Sequence, residues 1–249
     1  MAQISRPLSA VQPSKAAEPA KPIIPPLFNG DHLTRAEFER RFDAMPDLKL
    51  AELIEGKVYM SPPISHAGHS GPHVDLLVLF GNYRAATPGV DSGSNSSIRL
   101  DLDNMPQPDA YLFVAPAAGG QATIDTKGYI VGSPELVAEI AATTAAYDLH
   151  EKLVVYRRNG VKEYIVVRTL EGELDYFIQR DGDFRRLTPG PDGVFRSEIF
   201  PGLWIDAPAL LRRDLATALR QLQLGLASPE HQNFVNLLQT KLQPKSEKS

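Results

Sequence analysis

The sequence predicts an α/β fold, a mixed β-sheet flanked by helices and followed by a C-terminal helical extension. Three observations predict it. Ala110–Val114 and Glu135–Ala141 are short apolar runs, the pattern of strands covered on both faces. The stretch from about Tyr147 to Arg158 carries Leu149, Leu153 and Tyr156 on one helical arc. Glu163–Arg168, Leu174–Gln179 and Phe184–Leu187 are separated by Glu171-Gly172 and Asp181-Gly182, which reads as a β-meander with tight turns.

The elements follow in order. Residues 1–29 are rich in Pro, Ala, Ser and Lys without an apolar period, so they read as a disordered arm that packs against nothing. Order is expected from Thr34, which caps a helix in the pattern Thr34-x-x-Glu37 with Phe38, Phe42 and Met45 behind it. Lys49–Ile54 and Lys57–Met60 form a hairpin around Glu55-Gly56, closed by Ser61-Pro-Pro63. A long amphipathic helix runs over His69–Arg84 and stops at Pro88-Gly89. Short strands are expected at Ser97–Leu100 and Gly128–Val131, besides the two apolar runs. Asn159-Gly160 ends the helix that precedes the meander. Two C-terminal helices follow Phe200-Pro-Gly-Leu-Trp204, at about Pro208–Gly225 and, behind the Ser228 cap, at Pro229–Leu242. The chain thus divides into an arm (1–29), a main domain (30–206), C-terminal helices (207–242) and a frayed tail (243–249).

Composition excludes several function classes. The 249 residues contain no cysteine, which removes disulfides, thiolate zinc sites and cysteine nucleophiles and suits a cytoplasmic location. A net charge of -4 is not that of a bulk nucleic-acid binder, so nucleic acid would have to meet a local basic surface. No apolar run reaches the length of a membrane span, and the N-terminus has no signal-peptide pattern. Gly-rich phosphate loops, Gly-x-Ser-x-Gly elbows and His-Glu-x-x-His motifs are absent from the sequence.

The candidate site is a set of misplaced charges. On a strand, Glu135, Val137, Glu139 and Ala141 share one face, so Glu139 interrupts an apolar surface expected to lie under helices. A carboxylate there costs several kcal/mol, on the order of a lost buried pair, unless it is paired or metal-bound. Asp109 opens the run Ala-Tyr-Leu-Phe-Val and belongs at the mouth of a neighbouring strand. Lys152 falls at the side of the apolar helical arc, where a lysine either snorkels outward or reaches an acid, and Asp148 is one turn earlier. Two carboxylates and a lysine are the parts of a metal-dependent phosphodiesterase. Hard oxygens hold the cation, which activates water, and the ammonium offsets developing negative charge. A shared cation would put the two carboxylates within roughly 4–6 Å of each other, on one face of the sheet. Ordinary surface pairing is the competing reading of the same spacing.

The order of motifs resembles the Uma-type restriction-endonuclease family, formerly a domain of unknown function, within the PD-(D/E)XK nuclease superfamily. The resemblance spans about Glu52 to Trp204. It rests on Glu52-Leu-Ile-Glu-Gly56, Met60-Ser-Pro62, a histidine soon after, Pro108-Asp109, Glu139, Asp148-x-x-x-Lys152-x-x-x-Tyr156, Gly160-Val-x-Glu-Tyr164 and Phe200-Pro-Gly-Leu-Trp204. It implies a restriction-endonuclease-like sheet, Mg²⁺ (or Mn²⁺) as cofactor, DNA as partner and endonuclease chemistry. Asp109 and Glu139 become metal ligands, Lys152 the charge-stabilising lysine, and Glu52 a further ligand or a group behind the ligands. The lysine comes from the following helix, since Ala141 stands two residues after Glu139. The usual Ser-Pro-Ser/Thr turn after the acid is replaced by Ala141-Ala-Thr-Thr144, and both His66 and His69 fit the family's histidine. Replacing Lys152 by alanine is expected to abolish cleavage and spare folding, since alanine is a good helix former.

Two other readings remain beside the endonuclease: a non-catalytic nucleic-acid- or protein-binding module on the same fold, and a hydrolase of another phosphate ester. Arg157, Arg158 and Lys162 offer phosphate contacts or simply complement a helix C-terminus. Arg212, Arg213 and Arg220 read as a solvated helix face, and Trp204 as a core residue. Leu210, Leu211, Leu215, Leu219, Leu222 and Leu226 recur at helical spacing, for packing on the domain or for a homodimer.

Overall fold

The computed structural model describes residues 23–60 and 63–243. Most of the expected arm (1–22), the Ser61-Pro62 part of the hairpin closure and the end of the tail lie outside the described residues. The strands are β1 (Ala51–Ile54), β2 (Lys57–Met60), β3 (Val90–Gly93), β4 (Ile98–Arg99), β5 (Ala110–Val114), β6 (Thr123–Ile124), β7 (Ile130–Val131), β8 (Leu136–Ala141), β9 (Glu163–Arg168), β10 (Glu173–Arg180), β11 (Asp183–Arg186), β12 (Val194–Arg196) and β13 (Trp204–Asp206). The helices are α1 (Arg35–Asp43), α2 (Gly71–Ala86), α3 (Ala145–Tyr147), α4 (Leu153–Arg158), α5 (Ala207–Leu211), α6 (Leu215–Leu226) and α7 (Pro229–Leu242).

Six strands form the central sheet in the order β11-β10-β9-β8-β5-β3. The β8–β9 pair is parallel and its neighbours are antiparallel. A parallel pair needs a crossover, and the helical segment between Ala145 and Arg158 supplies it. Every residue of β8 is buried, because both faces are covered. Leu136, Ala138 and Ile140 meet Leu76, Leu79 and Phe80 of α2 and the C-terminal helices. Val137 and Ala141 meet Tyr156, Tyr164 and Phe177 on the crossover side. The alternation is the one the sequence predicts, and it assigns Glu139 to the crossover side.

The tight turns have their physical cause in left-handed backbone. Glu55-Gly56 and Asp181-Gly182 each place two successive residues at positive φ, as a two-residue hairpin requires. Strand β3 escapes prediction because Val90-Asp-Ser-Gly93 carries little apolar signal; its pairing with β5 makes it a strand. The expected Pro208–Gly225 helix is broken into α5 and α6. Arg213 adopts φ 62°, and the Asp214 side chain caps the Thr217 amide of the new helix. Arg213 is exposed, as a solvated face requires, but it also pairs with buried Asp75 of α2. Leu210 and Leu222 are buried, and Leu211, Leu219 and Leu226 pack on the same core, so this stripe seals the chain's own domain. Trp204 is partly exposed under the Arg196 guanidinium, 4.6 Å from the ring, and is not a core residue.

Order begins before Thr34. Leu27 is 2% exposed and packs with Phe38, Leu53, Val58 and Met105 in a small core beneath the β1–β2 hairpin. The composition of residues 1–29 hid a single apolar side chain with a prepared site. Leu27→Ala is therefore expected to lower unfolding free energy by about 2–4 kcal/mol, the cost of a buried cavity. A urea titration unchanged within about 0.5 kcal/mol would show that residue 27 still behaves as a loose arm.

Candidate active site

Asp109 lies immediately before β5, and Ala110 is paired with Ala138 of β8. Continuing that antiparallel register by one residue sets Asp109 opposite Glu139, with both side chains on the crossover face. The shared face required for a common cation is therefore present. The Asp109 Oδ2 atom accepts a hydrogen bond from the Ile140 amide at 2.7 Å, which ties the carboxylate to the strand that carries Glu139. Oδ1 lies 3.0 Å from His69 Nε2. His73 Nε2, one turn along, donates to the Asp109 carbonyl oxygen at 2.6 Å.

The Lys152 ammonium is buried on the other side of Glu139, and the residue is only 4% exposed. Its Nζ is 2.9 Å from Glu139 Oε1, 3.0 Å from Glu52 Oε1 and 3.8 Å from Asp148 Oδ1. It does not snorkel. Tyr156 donates its hydroxyl to the same Glu139 oxygen at 2.8 Å, which explains the tyrosine four residues after the lysine. Glu52 Oε1 also accepts from the Gln107 amide at 2.7 Å, linking the first hairpin to the strand approach. Asp148 accepts from the Thr144 hydroxyl at 2.6 Å, and its carbonyl accepts from Tyr164 at 3.0 Å. The Tyr147 ring lies 5.4 Å from Nζ and 4.5 Å from the Tyr59 ring, closing the cluster on the hairpin side.

Both helices deliver these groups through a π-helical turn. One spans His66–Ser70 ahead of α2, and the other spans Asp148–Lys152 between α3 and α4. Such turns are uncommon and concentrate at functional sites, because one extra residue per turn re-aims the side chains. In the first turn the Ser65 hydroxyl caps the Gly68 amide and the Thr169 hydroxyl donates to the Gly68 carbonyl at 2.7 Å. The turn is thereby held against the ends of β8 and β9.

Electrostatics sharpen the picture. Burial pushes the Glu139 carboxyl well above the ordinary glutamate range; Lys152 pulls it back, while Asp109, Asp148 and Glu52 push it further up. Burial alone would discharge Lys152, but Glu139 and Glu52 outweigh it and hold the ammonium well above the ordinary lysine range. Burial also raises Asp148. Asp109 goes the other way: burial opposes its charge, but the His69 hydrogen bond and the Ile140 amide hold it below the usual aspartate value. The same hydrogen bond raises His69. Three carboxyl groups (Glu52, Glu139 and Asp148) thus lie within 4 Å of the Lys152 ammonium, with Asp109 opposite Glu139 on the same face. The donor set is hard oxygen, of the kind that holds a divalent cation.

Glu52, Asp109, Glu139 and Lys152 are therefore brought together, with Asp148 beside them. His69, and not the exposed His66, reaches Asp109. His73 was missed, although its place one turn after His69 was a readable signal. His69, His73 and Asp109 each offer a ligand atom within 4.8 Å of the others. Two cations of the basic cluster at the crossover's end are paired within the chain, Arg157 with Asp183 and Arg158 with Glu55 and Asp101, while Lys162 bonds the uncharged Gln179 side chain.

Comparison with known proteins places this architecture. A solved structure described as a "putative nuclease belonging to DUF820" from Anabaena variabilis superposes with a TM-score of 0.50 at 14% identity, covering 69% of this chain and 97% of that one. At that identity the likeness is one of fold. No curated protein matches the sequence. The model of the Uma2 family, described as "putative restriction endonuclease", matches residues 35–209, from the first helix through the cluster to the start of α5. The match takes in most of the chain, and the protein belongs to the Uma2 family.

Proposed function

We propose that the protein is a divalent-metal-dependent endonuclease that hydrolyses DNA phosphodiester bonds. The observation that carries this reading is the buried cluster itself. Asp109 and Glu139 face the same side of adjacent strands, and the Lys152 ammonium lies 2.9 Å from Glu139 among surplus carboxylates. Mg²⁺ or Mn²⁺ held by Asp109 and Glu139 would lower the pKa of the attacking water and offset charge on the phosphorane.

The chain's own residues do the rest. Tyr156 and Lys152 both bond one oxygen of Glu139, which fixes the carboxylate plane. The Ile140 amide fixes Asp109 through Oδ2 and leaves Oδ1 toward His69. Glu52 holds the ammonium from the hairpin side, so Nζ stays charged in a buried position. Charge that is fixed before reaction stabilises developing negative charge without reorganisation cost, and that is the role proposed for Lys152. The Tyr147 ring lies against the ammonium and packs on the Tyr59 ring, covering the cluster from the hairpin side. Beside them a cleft of about 490 Å³ is lined by His32, Lys57, Tyr59, His150 and Glu151, among others.

The decisive assay is cleavage of mixed DNA substrates during titration with Mg²⁺ and Mn²⁺. Metal-dependent cleavage is expected. Hydrolysis of small phosphodiesters alone would shift the reading to another phosphate ester, and metal binding without any cleavage would leave a non-catalytic module. Lys152→Ala is expected to lower the cleavage rate by about 10²–10³-fold or more, the scale of losing one preorganised electrostatic group. Lys152→Arg should rescue poorly, because a planar guanidinium does not replace a compact ammonium. Wild-type rates in Lys152→Ala would remove the lysine from the mechanism.

Stability gives a separate prediction. In the metal-free protein, Lys152→Ala strands carboxylates that the ammonium now neutralises, so folding is not spared as helix propensity alone suggests. The expected loss is about 3–5 kcal/mol near neutral pH. The sign of its pH dependence follows from Glu139, whose folded pKa lies above its unfolded value. Such a group binds more protons when folded, so stability falls as pH rises between those two values. Without the ammonium that window widens upward. The variant's deficit should therefore shrink as the pH falls through that window, as the carboxyl takes up its proton. Urea midpoints measured across this range check it, and a deficit independent of pH would mean the carboxylates find other partners.

A further inference from the structure

The metal reading leaves one arrangement unexplained. His69 reaches back from a π-helical turn to put Nε2 3.0 Å from Asp109 Oδ1. The other Asp109 oxygen is taken by the Ile140 amide, so Oδ1, which meets only His69, is the atom left to ligate. Two ligand atoms at about 2.1 Å from one cation, at right angles, lie about 3 Å apart. The His69–Asp109 separation has that value. His69 Nδ1 is buried and has no hydrogen-bond partner among the described residues. Asp109 is thus the one hydrogen-bond partner of the ring among the described residues, and a cation seated between Nε2 and Oδ1 would take the place of the proton they share. His73 is different. Its Nε2 proton is committed to the Asp109 carbonyl, so it holds the backbone in place.

We propose that His69 supplies an imidazole nitrogen to the same cation as Asp109, making the centre a mixed nitrogen–oxygen site that favours Mn²⁺ over Mg²⁺. The inference rests on the metal reading above and adds a ligand and a selectivity to it. Imidazole raises affinity for first-row transition ions, whereas Mg²⁺ prefers oxygen donors and retains its waters. His66, exposed on the same turn, has no such place.

The test is Mn²⁺ binding to the full-length protein, read by isothermal titration and by electron spin-echo modulation, which reports nitrogen bound to Mn²⁺. Wild type should bind Mn²⁺ more tightly than Mg²⁺ and show imidazole nitrogen coupling. His69→Gln should lose the coupling and bind Mn²⁺ at least about tenfold more weakly, since even groups behind a ligand cost 10–100-fold. His66→Ala should keep both. Labelling wild-type histidines with ¹⁵N gives the same readout without a substitution, in case His69→Gln fails to fold: the ¹⁴N coupling should be replaced by ¹⁵N coupling. Mn²⁺ bound without nitrogen coupling, or coupling that survives in folded His69→Gln, overturns the assignment and leaves the carboxylate site standing. Failure of wild type to bind either ion overturns the metal reading, and this inference with it.

Discussion

A lysine ammonium in the interior of a protein is unfavourable unless its charge is answered within about a hydrogen-bond length. Much of this molecule is arranged to answer Lys152. Glu139 comes from the middle of the sheet, Glu52 from the first hairpin and Asp148 from the preceding turn of the crossover. Three separate stretches of sequence converge on one atom. With Asp109 beside Glu139, carboxyl groups outnumber the ammonium, and burial pushes Glu139 and Asp148 toward their neutral forms. The cation proposed above would answer the same groups, and this ties the chemistry to the fold.

The sheet makes the convergence inevitable once its strand order is set. Because β8 and β9 are parallel, the chain must cross over between them, and the crossover lies on the face that carries Glu139. Lys152 and Tyr156 are four residues apart on it and therefore meet the same carboxylate. Asp109 arrives from the antiparallel side, one residue before β5, whose Ala110 pairs with Ala138. Buried Tyr164 of β9 fastens the crossover from beneath through the Asp148 carbonyl. Packing thus sets the positions of the charges, and the charges explain why an otherwise apolar interface tolerates them.

What could be read from the chain follows the same physics. Glu139 was legible because strand alternation exposes a single acid on an apolar face, and Lys152 because helical spacing puts it beside an apolar arc. Asp109 needed its neighbour: a Pro-Asp pair is a common turn, and only the β5–β8 register gives it a partner. His69 could not be separated from His66, since a π-helical turn breaks the 3.6-residue period by which their directions would be judged. The break in the C-terminal helix was hidden for a related reason. Arg213 has no sequence mark of left-handed backbone, and its position is set by Asp75, which is 138 residues away. Leu27 was hidden by averaging, because one buried leucine does not alter the composition of a Pro-rich stretch. Local periodicity therefore recovers the residues whose directions are local. Those fixed by a distant partner emerge only from the fold.

The loop after Glu139 shows how a departure from the family pattern is accommodated. Where the resemblance leads one to expect Ser-Pro-Ser/Thr, this chain has Ala141-Ala-Thr-Thr144. The segment still ends in a hydroxyl, and Thr144 uses it on Asp148 at the start of the second π-helical turn. The alanines serve the first turn. A methyl group added at Gly68 would come within 3.3 Å of the Ala142 Cβ, so the two segments already lie close together. A larger side chain at residue 142 would push that turn outward and carry His69 away from Asp109. The small residues after the strand acid and the glycine before the histidine thus form one steric pair. Close approach between loop and helix thus stands, beside the histidine that meets Asp109, where the family pattern leads one to expect a proline turn.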